Sequence, residues 1–280
     1  MTLAIVTDST ANISKETAHE LGVHVIPLTL TFGEQSLLDM KDITEIEFFD
    51  RLLTDPNHPK TSQPSVGAFL NLYKELIANG VTEILSIHIS KKLSGTFESA
   101  TQAASQVKNC TVEVLDTGGV SLPLGFAVIE AAKNLKNGAS INELKEIIEN
   151  QMNRTKVFVG LNTLEYLIKG GRMSKAKGFI GTKLNFKPII TLNNGLIESA
   201  GKARNFNKTI DSMIEMATEL APFEYIGVMH GNSLDLAQEV ANKLIAIDKN
   251  SIPMIRQLSP VLGVHAGPGS IGITAVSSKK

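Results

Sequence analysis

Short apolar runs alternate with segments of helical periodicity through the first half of the chain. Strands that alternate with helices are typical of βαβ units built around a parallel sheet. Within the run at 23–32, Pro27 predicts a bend or an edge position. The predicted strands are 3–8, 23–32, 82–89 and 112–116, and the predicted helices are 14–22, 64–79, 95–107 and 122–136.

The second half combines helices with a hairpin signal. Asn194-Gly195 stands between two apolar runs, and this dipeptide is a preferred turn for a two-residue hairpin. Hairpins mixed with helices are typical of an α+β domain with a mainly antiparallel sheet. Further helices are predicted at 140–152, 164–171, 206–220 and 233–247, and further strands at 156–161, 224–229, 253–258 and 270–276.

We therefore predict two domains. Residues 1–153 are expected to form an α/β domain with a mainly parallel sheet, and residues 154–280 an α+β domain with a mainly antiparallel sheet. The charge changes near the same boundary. Residues 1–150 carry 11 Lys+Arg and 19 Asp+Glu, a net charge of −8, and residues 151–280 carry 16 and 9, a net charge of +7, so that the whole chain has −1.

The composition is that of a folded protein, with 280 residues of which 42% are hydrophobic. Cys110 is the only cysteine, which excludes an internal disulfide and a multi-cysteine zinc site. The sequence starts without a signal-peptide pattern and has no apolar run long enough to span a bilayer, so a cytoplasmic location is expected. Histidine spacing of the H-x-x-x-H type is absent, and no metal is expected.

A basic segment without any acidic residue lies between Glu165 and Glu198. Its cations are Lys169, Arg172, Lys175, Lys177, Lys183 and Lys187. Residues 170–175 are typical of a helix end followed by a solvated basic loop. The alternative is a docking face for an acidic protein, a phosphoryl group, a membrane or a nucleic acid. Because the first half is acidic and tryptophan is absent, a nucleic-acid partner is disfavoured and none is expected.

Four loops are rich in hydroxyls or glycine, three after predicted strands and one before a helix. They are 7–10, 90–96, 116–119 and 61–65. Ligands of an open parallel sheet bind beyond the carboxyl ends of its strands, and hydroxyls together with free helix amides bind anions. Thr61, Ser62 and Ser94 are therefore candidate ligands of one carboxylate or phosphate, and Gly95 is expected to allow its close approach.

The alternative roles of Ser94 are a plain helix cap and a nucleophile in a serine-dependent hydrolase or acyltransferase. Its base would be His265, which lies among glycines in a predicted loop, whereas His88 is expected to pack inside the sheet. The string K-L-S-G-T differs from the G-x-S-x-G of a nucleophile elbow, and no acidic residue obviously completes a triad. The residues alone leave these roles of Ser94 open.

Six short motifs, in this order and spacing, resemble the DegV family over residues 3–275. They are Thr7-Asp8-Ser9, Thr61-Ser62-Gln63-Pro64-Ser65, Leu93-Ser94-Gly95-Thr96, Gly170-Gly171-Arg172 with Ser174, Lys187-Pro188-Ile189, and His265 to Gly269 with Ile271-Gly272. The resemblance implies a bacterial protein of two domains with a lipid pocket between them.

The resemblance also implies a function. Proteins of this family bind one long-chain fatty acid, such as palmitate, stearate or oleate, and present it to the catalytic subunit of a fatty acid kinase, whose product is acyl phosphate for phospholipid metabolism. The resemblance thus implies a lipid carrier rather than an enzyme, with a serine-dependent lipid hydrolase or acyltransferase that uses Ser94 and His265 as the alternative. No cofactor is implied, and transient membrane contact is compatible with the role. The residues carried over for the carboxylate are Thr61, Ser62, Ser94, Gly95 and His265. Arg172 would face the kinase or the transferred phosphate.

Overall fold

The computed structural model describes residues 2–173 and 186–278. Its elements, in chain order, are β1 (Leu3–Asp8), a short 3-10 helix (Ser9–Ala11), α1 (Lys15–Leu21), β2 (Val23–Ile26), β3 (Thr29–Phe32), β4 (Gln35–Leu38), α2 (Glu45–Thr54), β5 (Lys60–Ser62), α3 (Val66–Ala78), β6 (Glu83–His88), α4 (Thr96–Ala104), β7 (Thr111–Asp116), α5 (Leu122–Lys136), α6 (Ile141–Asn153), β8 (Thr155–Gly160), α7 (Glu165–Lys169), β9 (Lys187–Asn193), β10 (Leu196–Ala203), α8 (Phe206–Thr218), β11 (Phe223–His230), α9 (Leu234–Ile247), β12 (Met254–Gln257), α10 (Pro260–Ala266) and β13 (Ile271–Ser277).

The chain divides into two compact units. The first unit comprises Met1–Thr29 and Ser62–Asn153, and the second comprises Leu30–Thr61 and Arg154–Lys280. The sequence-based division differs from these units in one segment, because it places residues 30–61 in the first domain. Both divisions separate the chain between residues 153 and 154.

A four-stranded parallel sheet forms the centre of the first unit, with the strand order β2-β1-β6-β7. All three neighbouring pairs are parallel, which confirms the predicted α/β part. Strands that are covered on both faces need apolar side chains, and Val6, Ile84 and Leu85 are fully buried. The predicted bend at Pro27 is also confirmed, since β2 ends at Ile26 and β3 begins at Thr29.

A six-stranded sheet with the order β10-β9-β8-β13-β11-β12 forms the centre of the second unit. Its neighbouring strands are antiparallel except for the parallel pair β11–β12, which confirms a mixed, mainly antiparallel sheet. Asn194 and Gly195 form the predicted hairpin turn with φ of 47° and 76°. These left-handed values are what a type I′ turn requires.

The segment 30–61 belongs to the second unit because its aromatic residues pack there. The hydrophobic pattern predicts no elements at 33–61, yet this part of the chain contains β4, α2 and β5. The two strands flank β3 in a small sheet of order β4-β3-β5. Helix α2 begins with a capping box in which Thr44 and Glu47 cap each other's backbone amides. Phe48 and Phe49 on the buried face of α2 are fully buried. Both rings contact α10 at Gly263, where an added Cβ would lie 3.0 Å from Phe49 Cζ.

The residues around His265 form helix α10 rather than the loop that the sequence predicted. Glycine-rich sequence argued for a loop, but Pro260 fits the first turn of a helix and Gly267 ends it with φ of 74°. The carboxylate of Asp39, which is buried, accepts the Val261 amide and the Ser259 hydroxyl, each at 3.1 Å. Asp39 therefore caps the helix that carries His265.

Candidate functional site

Buried polar groups meet at the carboxyl end of the parallel sheet in the first unit. Asp8, the last residue of β1, is fully buried. Its Oδ1 accepts the Thr10 amide at 3.0 Å, and its Oδ2 accepts the Ile89 amide at 3.2 Å. This carboxylate therefore joins the loop after β1 to the loop after β6. In the sequence, Asp8 is marked only by the motif Thr7-Asp8-Ser9 and by its position at the end of a predicted buried strand.

A hydrogen-bonded chain continues from Asp8 into the core. His88 Nδ1 lies 2.9 Å from Asp8 Oδ2, His88 Nε2 lies 2.7 Å from Ser86 Oγ, and Ser86 Oγ lies 2.8 Å from Tyr73 OH. The order Asp-His-Ser is that of a hydrolase triad, but all four side chains are fully buried and Ser86 is not accessible to a substrate. Burial raises the pKa of Tyr73 to about 12, so its hydroxyl stays protonated. His88 packs inside the sheet as predicted.

Ser94 and Gly95 lie directly before α4. Ser94 Oγ is 2.9 Å from Thr96 Oγ1, and both residues are buried. Gly95 has φ of −78°, which any residue adopts. An added Cβ would lie 2.7 Å from Gln63 Nε2, so this glycine makes room for the Gln63 amide. From the sequence, this glycine is instead expected to allow the close approach of a ligand.

Lys91, which follows β6, interacts with the loop after β7. Its amide donates to Asp116 Oδ1 at 3.2 Å, and its ammonium lies 3.8 Å from Asp116 Oδ2. The ammonium also lies 5.4 Å from the centre of the Phe97 ring. Asp116 Oδ1 accepts the Gly118 amide as well, at 2.9 Å. The charge of Lys91 is thus partly neutralised within its own unit, and Lys92 is exposed.

The second unit brings Thr61 and His265 together, 204 positions apart in the chain. Thr61 lies in β5 and His265 in the last turn of α10. Thr61 Oγ1 is 2.9 Å from His265 Nε2, and the pair is partly buried. The family resemblance implies that both residues bind the carboxylate, whereas the hydrogen bond between them follows only from the packing of segment 30–61 on α10.

The imidazole of His265 is held in its neutral form. Burial, the positive charge of Arg172 and the nearby His58 together lower the pKa of His265 to about 3. Its Nδ1 atom is buried and has no hydrogen-bond partner among the residues that the structure describes. At neutral pH, this side chain therefore offers a hydrogen-bonding edge at Nε2 without a charge.

Arg172 lies beside the same imidazole. Its Nη1 donates to the carbonyl of Gly170 at 2.8 Å, and its partial burial lowers its pKa from the ordinary value. His58, which sequence reasoning missed, packs against Tyr166 with ring centres 5.9 Å apart. No sequence signal marked His58, because its place beside Tyr166 depends on tertiary packing.

The described cations of the basic segment contact residues of their own unit. Lys169 pairs with Glu165 at 2.6 Å, and Lys187 donates to the Asn162 carbonyl at 2.8 Å. Ser174 of the Gly-Gly-Arg motif and Lys175, Lys177 and Lys183 lie outside the described residues.

The predicted site residues thus fall into two groups. Thr61, His265 and Arg172 lie in the second unit and are close to one another, whereas Ser62, Ser94 and Gly95 belong to the first unit. Ser62 is the exposed last residue of β5. Within residues 2–173 and 186–278, no three His, Cys, Asp or Glu side chains are placed to hold a metal ion. No helix in that part of the chain has the length and apolar character required to cross a membrane.

The fold and the candidate site together define a class of protein. Its first unit is a parallel α/β unit, its second unit is a mainly antiparallel α+β unit, and its candidate ligand groups are uncharged hydroxyls and an uncharged imidazole. A family model described as an uncharacterised protein of the DegV family matches residues 2–278. The chain belongs to the DegV family.

Known proteins resemble the chain over nearly its whole length. A DegV domain-containing protein of Staphylococcus aureus (strain MRSA252) is 38% identical over 97% of this chain and 98% of its own. The solved structure of DegV, a fatty acid binding protein from Bacillus subtilis, has a TM-score of 0.92 and 32% identity and covers 99% of this chain and 100% of its own. A stearic acid-binding protein from Eubacterium ventriosum has a TM-score of 0.90 and 27% identity, with 99% and 98% covered.

The lowered pKa of His265 predicts a pH dependence of stability. The folded protein has a pKa of about 3 at this residue and the unfolded chain a pKa near 6.5, so the unfolded chain binds the extra proton between these values. The contribution of the neutral imidazole to the free energy of unfolding is complete above pH 6.5 and is lost as the pH falls towards 3. Because His265 is partly exposed, the loss is less than about 1.4 kcal/mol per pH unit.

Urea unfolding of the native protein and of His265→Gln between pH 7.5 and 4 measures this contribution. The native protein should lose more stability than the variant as the pH falls. His19→Gln, at an exposed position of α1, is the control and should follow the native curve. Parallel curves for the native protein and His265→Gln would contradict the assignment.

Proposed function

We propose that this protein binds one long-chain fatty acid and presents its carboxylate to a kinase for conversion to acyl phosphate. The observation that carries the proposal is the pair of Thr61 and His265, 2.9 Å apart, with the imidazole neutral. An uncharged hydroxyl–imidazole pair beside a partly buried arginine suits an anion with one charge. The fatty acid binding relatives described above, which match the chain from end to end, support the same ligand class.

The free energy of binding would come mainly from the acyl chain. Each buried methylene contributes about 0.8 kcal/mol, so a C16 or C18 chain contributes on the order of 10 kcal/mol. A hydrogen bond to the carboxylate contributes about 1 kcal/mol net. The polar residues therefore fix the orientation and the exposed end of the ligand more than its affinity.

The hydroxyls of the first unit are proposed as a second set of carboxylate donors. Ser94 lies before α4, whose start carries no side-chain cap among the described residues. The amides at such a helix start favour an anion. Gly95 and the exposed Ser62 are kept as proposed neighbours of the ligand, with Gly95 acting through the room that it leaves for Gln63.

No observation favours the hydrolase alternative. The Ser94 hydroxyl bonds to Thr96, and within the first unit the buried His88 bonds to Asp8 and Ser86. The neutral His265 bonds to Thr61. These hydrogen bonds leave the binding function as the better supported proposal.

Removal of the Thr61 hydroxyl should weaken fatty acid binding. Thr61→Val leaves the Nε2 edge of His265 without its partner, and we expect about a tenfold loss of oleate affinity in calorimetric titration of the delipidated protein. Thr61→Ser keeps the hydroxyl and should bind within about threefold of the native protein. Mass spectrometry of an organic extract from the purified native protein should show a long-chain fatty acid. An extract without lipid, or equal affinity of both variants, would contradict the proposal.

Calorimetric titration with oleate also tests the hydroxyl of Ser94 in the first unit. Ser94→Ala should lower the affinity for oleate about fivefold, which corresponds to one lost hydrogen bond. Ser105→Ala, at the exposed other end of α4, is the matched control and should bind normally. Equal affinity of Ser94→Ala and the control would remove Ser94 from the proposed site.

The presentation to a kinase predicts a reaction that requires this protein. A carboxylate oxygen of the bound fatty acid attacks the γ-phosphorus of ATP, the bond to the β-phosphate oxygen breaks, and ADP leaves. Arg172 is proposed to stabilise the negative charge of the transferred phosphoryl group.

Oleate-loaded protein, ATP and the catalytic subunit of a bacterial fatty acid kinase should give acyl phosphate, which hydroxylamine traps as a hydroxamate. Arg172→Gln should slow its formation. Product formation at the same rate without this protein would contradict the carrier role.

A further inference from the structure

The backbone conformation of Gly170 does not require a glycine at this position. Its φ of −73° and ψ of −3° are helical values that any residue adopts. An added Cβ would overlap His265 Nδ1 and would lie 2.7 Å from His265 Cε1 and 3.1 Å from the Tyr166 carbonyl. The missing side chain therefore provides the space in which the imidazole of His265 lies.

The same two helices meet at a second glycine. Gly267, directly after α10, faces the ring of Tyr166 in α7, and an added Cβ would lie 2.6 Å from Tyr166 Cγ. Each helix thus places one ring against a glycine of the other segment, His265 on Gly170 and Tyr166 on Gly267. Arg172 Nη1 bonds to the Gly170 carbonyl and fixes the position of this glycine.

The contact with Gly170 bears on the tautomer of His265. Nδ1 is buried against the glycine and has no hydrogen-bond partner among the described residues. A buried N–H without an acceptor is rarer in proteins than a buried acceptor atom without a donor. In the neutral ring, the proton is therefore on Nε2, and Nε2–H donates to Thr61 Oγ1. The Thr61 hydroxyl then keeps its own proton for another acceptor.

We propose that Gly170 is a positioning residue that holds the imidazole of His265 in an orientation in which the proton is on Nε2. Because Nε2–H then donates to Thr61 Oγ1, the Thr61 hydroxyl donates its own proton to the ligand carboxylate. The proposal rests on the proposed function, because it names the donor atom of that same site. It also gives a physical reason for the first glycine of the Gly-Gly-Arg motif.

The test is a cycle of four full-length proteins: native, Gly170→Ala, His265→Ala and the double variant. Oleate affinity is measured by calorimetric titration and stability by urea unfolding. Gly170→Ala should lose at least tenfold in affinity and should unfold at lower urea, because the methyl group displaces the ring. In the His265→Ala background, Gly170→Ala should lower the oleate affinity less than twofold. It should also reduce the free energy of unfolding by less than it does in the native protein, because the imidazole ring is absent.

Gly171→Ala is the matched control. Gly171 has φ of +72°, and an added Cβ there meets no described atom within 4 Å, so the change strains the backbone but leaves His265 in place. Gly171→Ala should therefore lower the free energy of unfolding and should bind oleate within twofold of the native affinity. Equal effects of Gly170→Ala with and without His265, or native affinity of a folded Gly170→Ala, would overturn the proposal. If the native protein binds no oleate, the proposed function fails. Urea unfolding of the same four proteins still shows whether Gly170 positions the imidazole of His265.

Discussion

The hydrogen bond between Thr61 and His265 depends on how α10 is held in the second unit. Asp39 caps the start of this helix, Phe48 and Phe49 pack on its glycine in the middle, and Gly170 receives the imidazole at its end. Each contact comes from a segment distant in sequence. The site is therefore a product of packing, and the residue types alone do not create it.

Glycine has the same physical role in both units, and it differs from the role usually assumed for glycine-rich motifs. Gly95 and Gly170 both have negative φ, so neither is needed for a turn. Gly95 leaves room for the amide of Gln63 and Gly170 for the ring of His265. Two of the motifs that resemble the family are thereby explained as close contacts between side chain and backbone.

Much of the fold could be predicted from periodicity. The parallel sheet follows from alternating strands and helices, and the hairpin at Asn194-Gly195 follows from its turn chemistry. The helix around His265 was missed because its glycines argued for a loop, whereas the capping carboxylate lies 222 positions from Val261. The buried chain from Asp8 to Tyr73 and the place of His58 were also out of reach, since both depend on contacts between distant segments.

The proposed role of Thr61 as a donor depends on His265 being a neutral imidazole with its proton on Nε2. Nitrogen-15 NMR of histidine-labelled protein reports this protonation state, with His265 assigned from the signal missing in His265→Gln. Near pH 7, we expect a protonated Nε2 and an unprotonated Nδ1, both before and after oleate is added. A proton on Nδ1, or a doubly protonated ring at that pH, would contradict it.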